Sequence, residues 1–176
     1  MFGMAVSAPI LLSYTTDPTT IAIGFAVAYL GSLFPDFDEP NSYLSSRPPW
    51  FIVSHLISFF TKHRGATHTI FFDISISIIL VIGLYSFNLF DRFWILVPVF
   101  FVAYLSHLIG DSMTKSGTQM LRPFSKKKVY FLPKPFRFRT GSFTENIYLI
   151  FFSAIFVAEL FYFLGGLSGI RISPPL

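Results

Sequence analysis

The chain has 176 residues, of which 53% are hydrophobic and only 12% charged, with 24 Phe and no Cys. So little charge cannot cover the surface of a soluble globule of this size, and so apolar a composition excludes disorder. The lack of Cys excludes disulfide frameworks, thiolate metal sites and a Cys nucleophile together. The net charge of +4 sits beside apolar segments and points to lipid headgroups, with no nucleic acid expected.

A mean hydropathy of +0.63 predicts an all-α, polytopic helical membrane protein forming a single integral membrane domain over residues 1–176. Four segments have the apolar character of transmembrane helices, about 21–34, 69–90, 93–110 and 146–164. The apolar stretch Met1 to Leu12 is either a separate half-span or a continuation of the first. It has neither the preceding Lys or Arg nor the A-x-A site of a cleaved signal peptide. Between the first two spans, about 50–62 predicts an interfacial amphipathic helix, too short to cross. Its Ser54, His55, Ser58, Thr61 and Lys62 share one face, and Pro48 and Pro49 suit its first turn. His55 belongs to that solvated face. Later, FLPKPFRFRTGS predicts an extended or hairpin excursion along the headgroups.

Basic residues set the orientation. Arg47, Lys62 and Arg64 lie in the first large loop. Lys115, Arg122, Lys126, Lys127, Lys128, Lys134, Arg137 and Arg139 lie in the second. Together they are eleven of the thirteen Lys and Arg, and only Arg92 and Arg171 fall opposite. With four spans, the positive-inside rule puts both loops in the cytoplasm and both termini outside.

The ionisable residues gather at the same depth. Asp36 and Asp38 end the first span in LFPDFDEPNS, and His63 and His68 open the second in KHRGATHT. His107 and Asp111 close the third in SHLIGDSMTKSG, and Glu145 opens the fourth in TGSFTEN. His107 and Asp111 are four apart and share a helix face, the usual way for one helix to offer two ligands to one metal. Asp36 and Asp38 suit a chain leaving a helix, where two carboxylates reach one ion or two neighbouring ions. His63 and His68 fit a loop-to-helix entry bent at Gly65. Such ligands without thiolates suit zinc, manganese or iron, and the number of carboxylates leaves room for two ions. Each fragment also has a plain reading as a helix end, a hydrogen-bonded pair or a headgroup contact; their coincidence at one depth argues for a site. Asp73, a turn into its span, is a functional candidate, whereas Glu159, toward the far side, is expected to pair with a Tyr or Ser.

The series PDFDEPNS, HRGATHT, YLSHLIGDSMTKSGTQMLRPF and TGSFTE, in that order, resembles the YdjM family of predicted membrane-bound, metal-dependent hydrolases. The resemblance runs from about Gly31 to Glu145. It implies an α-helical membrane fold distantly similar to zinc-dependent phospholipase C. It also implies metal ligands at Asp36, Asp38, His63, His68, His107 and Asp111. Family members often carry a His near the N-terminus, and MFGMAVSAPI has none.

These residues point to hydrolysis of a phosphoester in a phospholipid or lipid-linked phosphate. Divalent metal, zinc in the first place, would number one to three ions. Arg64, Lys115 and Arg122 are placed to receive an anionic substrate. Glu145 is the candidate general base or a carboxylate holding a ligand imidazole, and Asp111 and Arg64 complete the catalytic set. The competing class is a non-enzymatic metal carrier or metal-stabilised scaffold in the membrane. An intramembrane metalloprotease is disfavoured because no His-Glu-x-x-His is present.

Overall fold

The computed structural model describes residues 2–38 and 66–167. The expected interfacial helix at about 50–62 lies outside them. Among the described residues there are six α-helices: α1 (Phe2–Tyr14), α2 (Pro18–Leu33), α3 (Ile70–Ser86), α4 (Phe90–Phe93), α5 (Leu96–Ser112) and α6 (Phe143–Leu167). The all-helical expectation therefore holds. By length and composition, Pro18–Phe37 and Phe143–Phe163 are long and apolar enough to cross a membrane; α1, α3 and α5 are shorter apolar helices.

Local chemistry explains the boundaries. Asp17 caps α2, its Oδ2 accepting from the Thr20 amide at 2.9 Å and the Thr20 hydroxyl at 2.6 Å. Pro18 follows in the first helical turn, where a missing N–H costs nothing. Those two Thr20 bonds hold the Asp17 carboxyl below its ordinary range. The break at Thr15–Asp17 makes Phe2 to Leu12 part of a separate helix rather than a continuation. α2 runs on into a 3-10 turn, Phe34–Asp38. Thr69 caps α3 through its hydroxyl. Asn88, with φ of 55°, turns the chain beyond α3, and the single-turn α4 fills the space before α5.

α5 is central and packs on α1, α2 and α3. The contact with α1 and α2 uses small residues, so the backbones come close. A Cβ on Gly31 would meet the Phe100 carbonyl oxygen at 2.9 Å, and one on Gly3 would meet Ser32 Cβ at 2.6 Å. Leu11, Ala28, Leu96, Val99 and Ala103 form the buried core between these helices. The opposite surface of α3 leaves Ile74, Ile78, Ile82 and Tyr85 exposed. That is an apolar stripe at helical spacing and suits contact with lipid.

α1 is antiparallel to α2, which corrects one expectation. Phe2 packs on Phe152 in the first half of α6 with ring centroids 4.2 Å apart, and Tyr14 packs on Trp94 at the other end, 5.0 Å apart. The start of α1 therefore lies at the end of the bundle where α2 and α5 finish. Four spans had put it at the opposite end. The difference arises because α1 is a helix of its own, so that the described residues hold five apolar helices of ten residues or more instead of four.

The connection from Met113 to Ser142 folds back over that same end. Paired contacts join Thr118 to Val129 and Thr114 to Phe138, and the Phe131 amide donates to the Ser112 carbonyl at 3.0 Å. FLPKPFRFRTGS runs through this connection with a 3-10 turn at Lys134–Phe136.

Candidate metal centre

Three chain segments meet where α2, α3 and α5 have their ends. The 3-10 turn after α2 carries Asp36, the residues ahead of α3 carry His68, and the last turns of α5 carry His107 and Asp111. His68 Nε2 lies 3.5 Å from Asp36 Oδ1 and 3.5 Å from Asp111 Oδ2. His107 Nε2 lies 3.5 Å from Asp36 Oδ1 and 3.7 Å from Asp111 Oδ2. These separations exceed a well-formed N–H···O bond. They are near the separation of two neighbouring ligand atoms that each lie about 2.1 Å from one divalent ion, about 3.4 Å. Asp36, His68 and His107 could hold a metal ion, their ligand atoms all within 4.8 Å of one another. Asp111 brings an oxygen to the same two nitrogens but stands outside that mutually close group.

The remaining ring nitrogens are already engaged. His107 Nδ1 donates to the Ser32 carbonyl at 2.8 Å, because a carbonyl oxygen can only accept. In a neutral ring that leaves the Nε2 lone pair pointing at the carboxylates, the arrangement typical of metal-bound histidine. His68 Nδ1 lies 3.2 Å from the Thr67 hydroxyl. The buried Tyr104 hydroxyl donates to the Thr67 carbonyl and ties the His68 segment to α5. Sequence reasoning missed Thr67, Tyr104 and the Ser32 carbonyl. A Tyr three residues before His107, and so on nearly its face, was the available signal.

Charge balance also favours a cation here. Two carboxylates this close, in a partly enclosed site, need a compensating positive charge. The carboxylate side chains are 40% and 39% exposed and the imidazoles 23% and 16%. The cluster is therefore open on its carboxylate side.

A cavity of about 450 Å³ adjoins it, lined on the polar side by His107, Asp111, Glu145, Thr114 and Thr140. Glu145 also closes the start of α6. The Ser142 hydroxyl accepts from the Glu145 amide at 3.4 Å, and Glu145 Oε2 accepts from the Gly141 amide, a reciprocal cap of the Ser-x-x-Glu kind. One oxygen of the expected base is thus already bonded.

The other expected residues divide clearly. His63 and Arg64 lie outside the described residues, as does the Asp38 side chain. Lys115 is exposed, its amide bonded to the Phe138 carbonyl. Arg122 lines a different cavity, with Lys126, Thr69 and Phe71. Neither lines the cavity beside the cluster. Asp73 is fully buried on α3, and among the described residues neither of its carboxylate oxygens has a hydrogen-bond partner. Glu159 Oε2 is likewise without a partner among the described residues.

Fold and site together define an α-helical membrane protein with a His/Asp cluster at one end of its bundle. The chain belongs to the YdjM inner membrane protein family, whose model matches residues 1–170. It is similar to inner membrane protein YdjM of Escherichia coli (strain K12) and to that of Shigella flexneri. With each it is 31% identical over 107 residues, covering 54% of this chain and 47% of the relative. The match thus spans about half the length of these relatives. No solved structure matches the chain significantly.

Proposed function

We propose that this chain is a metal-dependent hydrolase that cleaves a phosphoester of a phospholipid or lipid-linked phosphate at the cytoplasmic membrane surface. The observation that carries the reading is the cluster of Asp36, His68 and His107, spaced like ligands, with Asp111 against both imidazoles and a cavity opening beside it at one end of a membrane bundle. Asp38 and His63, implied by the family motifs, extend the set to a second ion. A bound divalent ion, zinc in the first place and manganese or iron as alternatives, supplies Lewis acidity toward a phosphoryl oxygen and acidifies water.

The chain's own residues do the rest. His107 is held by the Ser32 carbonyl so that its Nε2 lone pair needs no reorganisation, and His68 rests against the Thr67 hydroxyl. Glu145 lines the cavity with Asp111 and is the nearby carboxylate able to take a proton from water. Arg64 neutralises phosphoryl charge, and Lys115 lies one turn of sequence beyond Asp111. The test is a screen of lipid phosphoesters with purified protein in nanodiscs. Asp111→Ala and chelation should abolish cleavage. No cleavage by protein with stoichiometric metal would reject the enzyme reading.

A non-enzymatic metal carrier or metal-stabilised scaffold is the second reading. The observation in its favour is the Glu145 carboxylate, engaged in capping α6. Glu145→Gln separates the two, since it keeps one amide oxygen for the cap and removes the base. A large loss of turnover with unchanged stability supports hydrolysis.

A further inference from the structure

The cavity beside the cluster has a second wall of different chemistry. Phe2 of α1, Leu33 of α2, and Leu149 and Phe152 of α6 form it. It exists because α6 leans chiefly on α1, through Phe2–Phe152 and through Phe25–Phe156 between α2 and α6, and stands away from the end of α5. Gly110 lines the resulting gap, and a Cβ there would meet nothing within 4 Å. Leu149 both lines the cavity and is 49% exposed on α6, beside the exposed Ile150 and Phe151. The cavity is therefore continuous with the apolar outer surface of α6.

We infer that this cavity receives the hydrocarbon chain of a lipid whose phosphate lies at the cluster, entering sideways along α6. The inference rests on the reading of the cluster as a phosphoester site and specifies the rest of the substrate. Two features favour a chain over a soluble phosphate. No Lys or Arg is among the described lining residues, and the carboxylates Asp111 and Glu145 stand beside the imidazole of His107, so the walls carry no fixed positive charge for a free anion. The volume, about 450 Å³, is in the range of sites that enclose small ligands, roughly 300–1,000 Å³. A ligand with an apolar tail fills it and places its polar end at the metal-binding side, the one orientation in which both walls are matched.

The experiment uses the full chain in phosphatidylcholine nanodiscs doped with phosphatidic acid that carries a diazirine near the end of one acyl chain. Photolysis and peptide mapping should find adducts on Leu33, Leu149 and Phe152 in excess of those on Ile74, Ile78 and Ile82, which report ordinary annular lipid. Gly110→Phe should fill the gap without backbone clash and lower the cavity adducts several-fold, leaving the α3 adducts and the metal content unchanged. Leu33→Trp makes the same test from α2 should Gly110→Phe fail to fold. Cavity adducts no more abundant than annular ones, or unaffected by both variants, overturn the inference. Labelling needs no turnover, so cavity adducts without cleavage leave the tail site standing and reject only the hydrolase reading.

Discussion

His107 on α5 donates its Nδ1 proton to the carbonyl of Ser32 near the end of α2, at 2.8 Å. This one bond selects the tautomer, aims Nε2 at Asp36 and Asp111, and locks together the two helices that carry three of the four candidate ligands. A metal site assembled this way is preorganised by backbone that no side-chain substitution removes.

Metal content is the first consequence. His107→Ala, His68→Ala and Asp36→Ala should each lose most of the bound divalent metal, measured by elemental analysis after gel filtration. Structural neighbours such as Ser116→Ala should not. Full retention in all three variants would overturn the site.

The Tyr104–Thr67 bond positions His68, so Tyr104→Phe should loosen the site from a distance. It leaves the Thr67 carbonyl buried without that donor, at a cost of about 1–3 kcal/mol. Thermal unfolding in detergent should show the loss, and metal affinity should fall without any ligand being removed. Unchanged stability and affinity would show that the bond contributes nothing.

Two glycines should respond in opposite directions. Gly31→Val drives a side chain into the Phe100 carbonyl and should destabilise by about 1–3 kcal/mol, as other overpacked sites do. Gly110→Ala points into open space and should stabilise by up to about 1 kcal/mol through helix propensity. Equal effects in thermal unfolding would contradict the close packing of α2 on α5.

Orientation is testable because the native chain has no Cys. Single Cys residues at Ser116 and Lys127 should label from the cytoplasmic side and one at Asn88 from the other, in sealed inside-out and right-side-out vesicles. Labelling of Lys127→Cys from the outer side alone would invert the proposed topology.

The amino-acid sequence by itself determined the helical membrane class, four apolar segments to within a few residues, and the clustering of Asp36, His68, His107 and Asp111. Hydropathy and i, i+4 spacing are local properties, and the shared depth of the ligands follows from each lying at a span end. Only the structure decided that Phe2 to Leu12 belongs to a helix of its own, because the break at Asp17 depends on a cap with Thr20 that mean hydropathy does not register. It also decided that Glu145 caps its own helix, that Arg122 lines another cavity, and that Ser32, Thr67 and Tyr104 hold the imidazoles. The Ser32–His107 and Thr67–Tyr104 contacts join segments far apart in the chain through backbone carbonyls, which every residue has, so no residue type announces them.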